Sequence, residues 1–321
     1  MSVVPQRLFS GVRLFSNLAI LFAVLVSLLF RSLIDSNNLS WQVVLSVIAL
    51  MIGIPHGAVD HLITIPRTNR WRFVAFIVIY VGIAALAVLA ILKWNVYGFE
   101  FIVWMSALHF GVGDSSFISE CDQLDNRKPS PLILKFVYAI PAGLLPVIIP
   151  LVQEKSSSAL NRVNPELIHW AGHYANDLRK TVAGLAIGAI VVLALNRKFR
   201  NVIDLLLLGA LAFLTPPLIA FSFYFGCWHA LRHTARLTSL LPKSQAAAAS
   251  GNLRGTFLSA VIPGLPALGG TVVIGFGLAL FNNNGVTSSL LWSLLVVVWA
   301  LTVPHMIATL RLDSKALFTK E

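Results

Sequence analysis

Eight histidines punctuate this chain, and five of them, His56, His109, His229, His233 and His305, fall inside long apolar runs. An ionisable side chain in such a run is expensive to bury and is a functional candidate by default. Imidazole is the commonest protein ligand for transition metals, so the first chemistry this pattern suggests is metal binding. The sharpest local signal is Cys227-Trp228-His229-Ala230-Leu231-Arg232-His233. On a helix, residues i and i+4 share one face with Cβ atoms roughly 5–6 Å apart. His229 and His233 can therefore share one ion. The competing reading is a pair of histidines hydrogen-bonded to neighbouring helices.

His56 sits in Gly53-Ile54-Pro55-His56-Gly57, where the proline deforms a helix and the glycines leave room around the ring. His109 opens His109-Phe110-Gly111-Val112-Gly113-Asp114, whose glycines permit close approach of another helix. A histidine packed at a kink or a helix contact is the alternative for both. Asp60 and Asp114 follow a histidine by four or five residues and are candidates to orient an imidazole from behind; a solvated helix end explains them equally well. His61 lies one turn from the inner end of its run. His169 and His173 repeat the i, i+4 spacing beside Trp170 and Tyr174, in a more polar link. An interfacial aromatic belt explains that segment better than ligation does. Phe221, Phe223, Tyr224, Phe225 and Trp228 on one run, with Trp104, Phe110 and Phe117 on another, read as bundle packing or as the wall of an apolar pocket for a lipid-soluble substrate.

The elements that position these residues follow from composition. Of 321 residues, 57 % are apolar and only 12 % charged, with a mean hydropathy of +0.81. Soluble domains carry about 25 % charged residues, so this chain cannot cover a soluble surface. The net charge of +11 forms no basic stripe with interleaved aromatics, which excludes a nucleic-acid footprint. Cys121 and Cys227 cannot build a disulfide framework. The expected fold is all-α, a polytopic transmembrane helical bundle forming one integral-membrane domain over residues 1–321. Ten spans are predicted, at 14–30, 41–65, 73–92, 99–118, 132–152, 181–195, 202–215, 218–237, 257–281 and 290–310. The first has no small-residue cleavage site and reads as a retained anchor. Splitting 202–237 at Pro216-Pro217 puts both termini on the cytoplasmic side. Most Lys and Arg then lie in inner links, Arg67, Arg70, Arg72, Arg232 and Arg236 among them. The outer link 153–180 is expected to hold an interfacial helix over 165–178, and the alanine run 246–249 a flexible loop.

In this topology the spans bearing His56, His109, His229 and His305 run in the same direction. At about 1.5 Å per residue, all four histidines lie roughly 15–23 Å below the outer boundary, in one layer. Four histidines already fill a site, so His305 is expected to orient its neighbours or line the substrate space.

PHGAVDH around His56, HFGVGD at His109, YFGCWHALRH from Tyr224 to His233 and TVPH ending at His305 together resemble the bacteriorhodopsin-related-protein (Brp/Blh) family of membrane-bound β-carotene 15,15′-dioxygenases. Their order and spacing extend over nearly the whole chain, while the link carrying His169 and His173 stands apart from them. The resemblance implies an Fe(II) cofactor on His56, His109, His229 and His233, which form the catalytic centre. Asp60, His61, Asp114, Tyr224, Trp228 and His305 then support the ligands or line the substrate space. It implies O₂ and β-carotene or a related carotenoid as substrates, with cleavage at the central double bond to two molecules of all-trans-retinal. It also implies a multi-pass position in the cell (plasma or inner) membrane, surrounded by lipid, and a functional link to a retinal-binding rhodopsin. Neutral imidazole ligands suit iron and keep it cationic enough to engage O₂. Oxidative alkene cleavage needs no nucleophile or general base, and none is evident. Two rivals stand beside this reading. One is a membrane di-iron desaturase or hydroxylase built on His56/His61, His169/His173 and His229/His233, although no adjacent His-His pair occurs. The other is a histidine-lined transporter or haem-binding membrane protein.

Overall fold

A computed structural model describes residues 3–32, 34, 39–64, 70–154, 156–281 and 286–318. Every regular element among them is helical. Ile65, the predicted end of the second span, and Arg67 lie outside the described residues.

The helices are α1 (Val3–Leu29), α2 (Ser40–Gly57), the short α3 (Asp60–Thr64), α4 (Arg70–Lys93), α5 (Asn95–Leu124), α6 (Leu132–Val152), α7 (Ser156–Val163), α8 (Ala175–Leu195), α9 (Phe199–Leu214), α10 (Pro217–Ser222), α11 (Ala230–Thr238), α12 (Pro242–Ala249), α13 (Leu253–Val261), α14 (Leu265–Leu280) and α15 (Val286–Phe318). Eight helical stretches among the described residues are long and apolar enough to cross a membrane. Their outer faces agree with a hydrocarbon surrounding. Only 11 % of the apolar stretch of α4 is buried, and Val78, Leu86 and Leu89 turn outward. A helix satisfies its own backbone, which lets it present such a surface to lipid.

The other two predicted spans exist as helices of a different kind. Residues 202–215 correspond to α9, of 16 residues. Thr215 and Pro216 are extended, and a proline at the first helical position of α10 restarts the chain. Residues 218–237 are then a broken run: α10, a π-helical segment Phe223–His229, and α11.

Three expectations are corrected. The alanine run is not a loop but the body of α12, as the high helix propensity of alanine dictates. The helix expected over 165–178 is instead two 3₁₀ turns, Pro165–Leu167 and Gly172–Tyr174, leading into α8. Leu167 and Trp170 bury into the bundle, which bends the segment out of a straight interfacial helix. Arg232 and Arg236 are not inner-surface charges, because both are fully buried in ion pairs. α1 likewise starts early enough to carry Arg13 into the bundle, where it pairs with Asp204 at 2.8 Å.

α5 and α6, the most extensively packed pair, meet through two glycines. A Cβ on Gly111 would stand 2.0 Å from the Ala139 carbonyl oxygen, and one on Gly143 would stand 1.8 Å from that of Ala107. The backbones therefore touch where His109 leaves α5. Gly113, two residues on, faces open space. Lys135, a lone cation within a predicted span, donates to the Leu317 carbonyl at 2.7 Å and so caps the last turn of α15.

Forcing extra volume into a tight contact costs about 1–3 kcal/mol. Gly111→Ala and Gly143→Ala should each lower the melting temperature of the detergent-solubilised protein by several degrees. Gly113→Ala should leave it unchanged or raise it. Equal melting of all three variants would show that the backbone contact does not hold α5 to α6.

Candidate metal centre

Five imidazoles meet in the bundle interior. His56 comes from the last turn of α2, His109 from mid-α5, His229 from the end of the π segment, His233 from α11 and His305 from mid-α15. Ring contacts run from His56 to His229 (5.2 Å between centroids), His229 to His109 (5.3 Å), His109 to His305 (5.1 Å) and back to His56 (5.4 Å). His233 touches all four members of this circuit, at 5.0–6.3 Å. The sequence placed His56, His109, His229 and His305 at one depth; the structure brings their rings into contact and adds His233.

Local sequence explains how each ring arrives. A Cβ on Gly53 would stand 2.1 Å from the Phe225 ring, so this glycine makes the slot in which Phe225 lies against His56 and His229. Gly264 has no room for a side chain because the Pro55 carbonyl oxygen is 2.2 Å from its would-be Cβ, and α14 thereby begins against the His56 turn. The π segment closes with the Ala230 N–H bonded to the Phe225 carbonyl. The wider π turn re-aims the side chains that follow it, here His229 and the face bearing His233.

Every ring in the cluster has a buried nitrogen without a hydrogen-bond partner: Nδ1 of His56, Nε2 of His109, His229 and His305, and both nitrogens of His233. Buried polar groups are nearly always partnered, so unpartnered nitrogens on five touching rings set this place apart and are available to an electron-pair acceptor. Spacing agrees. With a metal–nitrogen bond of about 2.1 Å and about 1.1 Å from nitrogen to ring centre, ligating rings stand roughly 4.5 Å apart at right angles and roughly 6.4 Å when opposed. The observed contacts fall inside that range. No three His, Cys, Asp or Glu side chains are already placed to hold a metal ion among the described residues.

Behind the ligands lie buried ion pairs. Arg232 points away from the imidazoles, bonds Asp114 at 2.6 Å, Asp204 at 3.4 Å and Asn17 at 2.9 Å, and stacks 3.4 Å over Trp228. One turn on, Arg236 binds Glu120 at 3.1 Å and Asp313 at 2.6 Å. Together they clamp the helix of His233 to α1, α5, α9 and α15. Asp114 thus supports the site through Arg232 and Tyr138, not by orienting an imidazole. Trp228 lies under Arg232 rather than against substrate space. Asp60 does orient a histidine, namely His305, and also accepts from Tyr80 at 3.0 Å.

Two cavities border the cluster. One, of about 250 Å³, is lined by His56, His61, His109, His229 and His305 together with apolar residues of α4, α14 and α15. The other, of about 140 Å³, is apolar and is walled in part by Tyr224, Leu160 and Trp299. Phe110 and Phe225 line both. His61 rests on Phe73 and His173 on Tyr174, while His169 lines a separate polar hollow in the link between α6 and α8. None of these three joins the ring cluster. Sequence reasoning missed Asp204 and Tyr80, although an acid within a predicted span and a tyrosine within an apolar one were the available signals.

The sequence profile of the family described as Beta-carotene 15,15′-dioxygenase matches residues 47–313. That region contains all five clustered histidines. A protein of Halobacterium salinarum named "Probable beta-carotene 15,15′-dioxygenase Blh" is 26 % identical over 83 % of this chain and 82 % of its own length. The "Beta-carotene 15,15′-dioxygenase" of an uncultured marine bacterium, 66A03, is 26 % identical over 81 % of this chain and 90 % of its own. No solved structure matches.

If one ion draws on His229 and His233, His229→Ala and His233→Ala should each retain under a tenth of the parent's bound metal by elemental analysis. Arg232→Met should instead act on stability, because removing one partner of a buried ion pair costs about 3–5 kcal/mol. Full metal occupancy in either histidine variant would refute a shared ion.

Proposed function

Because the chain belongs to the β-carotene 15,15′-dioxygenase family, we propose that it is an iron-dependent carotenoid-cleaving dioxygenase. His56, His109, His229 and His233 hold one Fe(II) ion. The substrate is β-carotene or a related carotenoid, split by O₂ at the central 15,15′ double bond into two molecules of all-trans-retinal. The observation that carries this reading is the contact of five imidazoles with unpartnered nitrogens, four of them lining a cavity whose surface is otherwise largely apolar.

The reaction balances without acid or base: the carbon–carbon double bond breaks and each new aldehyde keeps one atom of O₂. Iron supplies the redox chemistry by which O₂ reacts with an alkene. The protein's own task is then to bind, align and keep dry. Phe110 and Phe225 border both cavities, and Phe110 lies 4.2 Å from the His229 ring. A polyene lying along Phe110 and Phe225 would extend from the apolar cavity into the one lined by the histidines. Lipid-soluble substrate enters from the bilayer, so its hydrocarbon never has to pass through water. We place the protein in the cell membrane, with both termini cytoplasmic. Retinal released there would suit a retinal-binding rhodopsin in the same bilayer. The di-iron alternative loses support because His61, His169 and His173 stay outside the cluster.

Expression in β-carotene-producing cells should bleach the pigment and yield retinal as the sole cleavage product by chromatography. A long apocarotenal accumulating beside a short ionone-type fragment would refute central cleavage. Unchanged carotene with iron-loaded protein would refute the substrate.

A further inference from the structure

We infer that His305 is a fifth imidazole donor to the same metal, presented by a fixed Asp60–Tyr80 support. This rests on the metal-site reading above and adds a ligand to its four. The His305 Nδ1 lies 3.0 and 2.8 Å from the two Asp60 oxygens. An ionised carboxylate only accepts, so Nδ1 carries the proton and donates. Asp60 is itself held by the Tyr80 hydroxyl at 3.0 Å, and both acid and imidazole are buried. The orientation of the ring is therefore set from behind, as a carboxylate commonly sets a metal-bound imidazole.

The front of the ring is what this support presents. Nε2 of His305 is buried and unpartnered. The ring touches those of His56, His109 and His233, each of which also has an unpartnered buried nitrogen. Buried polar groups are nearly always partnered, and one ion shared with those three rings gives Nε2 its partner. The ring circuit makes His305 as much a member of the cluster as His56 or His109.

The test uses Co(II), loaded anaerobically into the full-length detergent-solubilised protein, because its visible bands strengthen several-fold as coordination number falls from five to four. The variants are His305→Gly, Asp60→Leu and, as a control in the outer link, His173→Ala. His305→Gly should bind Co(II) at least tenfold more weakly and show stronger bands than the parent. Added imidazole should restore both affinity and spectrum by filling the vacated position. Asp60→Leu should weaken binding by about 10–100-fold, and imidazole should not restore it. His173→Ala should match the parent. If His305→Gly does not fold, helical circular dichroism will show it, and His305→Gln becomes the variant, again with weaker binding and altered bands expected. A His305 variant with the parent's affinity and spectrum would overturn the inference while leaving the four-histidine site intact. A parent that takes up no Co(II) would overturn it by removing the metal site itself.

Discussion

A bare imidazole lone pair buried away from water is the constraint on which this fold turns. One such group is tolerable at about 1–3 kcal/mol. Five rings with unpartnered nitrogens are gathered from α2, α5, the π segment, α11 and α15. The proposed ion would accept an electron pair from several of them at once. The surrounding architecture makes sense as the means of holding the rings in place. Gly53 and Gly264 bring Phe225 and α14 against the His56 turn, and Gly111 with Gly143 sets the position of the helix carrying His109.

The second demand is that the imidazoles hold their positions beside the cavity. Arg232 and Arg236 meet it from within α11 by pairing with acids on α5, α9 and α15. Such pairs are weak contributors to net stability but strongly penalise any rearrangement that separates them. In a bilayer the penalty grows, since hydrocarbon offers an exposed charge no alternative partner. The buried polar network therefore acts as a rigid back wall to the imidazole cluster.

Much of this was legible in the sequence. Apolar runs of spanning length located the helices, and counting residues from their ends put His56, His109, His229 and His305 at one depth. The i, i+4 spacing of His229 and His233 anticipated two rings on one face. What escaped was pairwise and tertiary. Asp114 sits five residues after His109 but is claimed by Arg232, 118 residues further along the chain. No local pattern joins those two residues; only the packing of α5 against α11 does. Positive-inside counting treats every arginine as solvated, so it misassigned Arg232 and Arg236, whose acidic partners come from distant helices. The π segment has no sequence signature beyond aromatic crowding. Asp60 stood in the right motif, yet its histidine is His305, 245 residues away.

The central claim is one iron ion ligated by imidazoles alone, and X-ray absorption at the iron edge of the purified, reduced protein tests it most directly. The predicted result is a first shell of nitrogen or oxygen scatterers with the outer-shell pattern of several imidazoles. A second iron in the outer shell, a sulfur ligand or the signature of a porphyrin would contradict it.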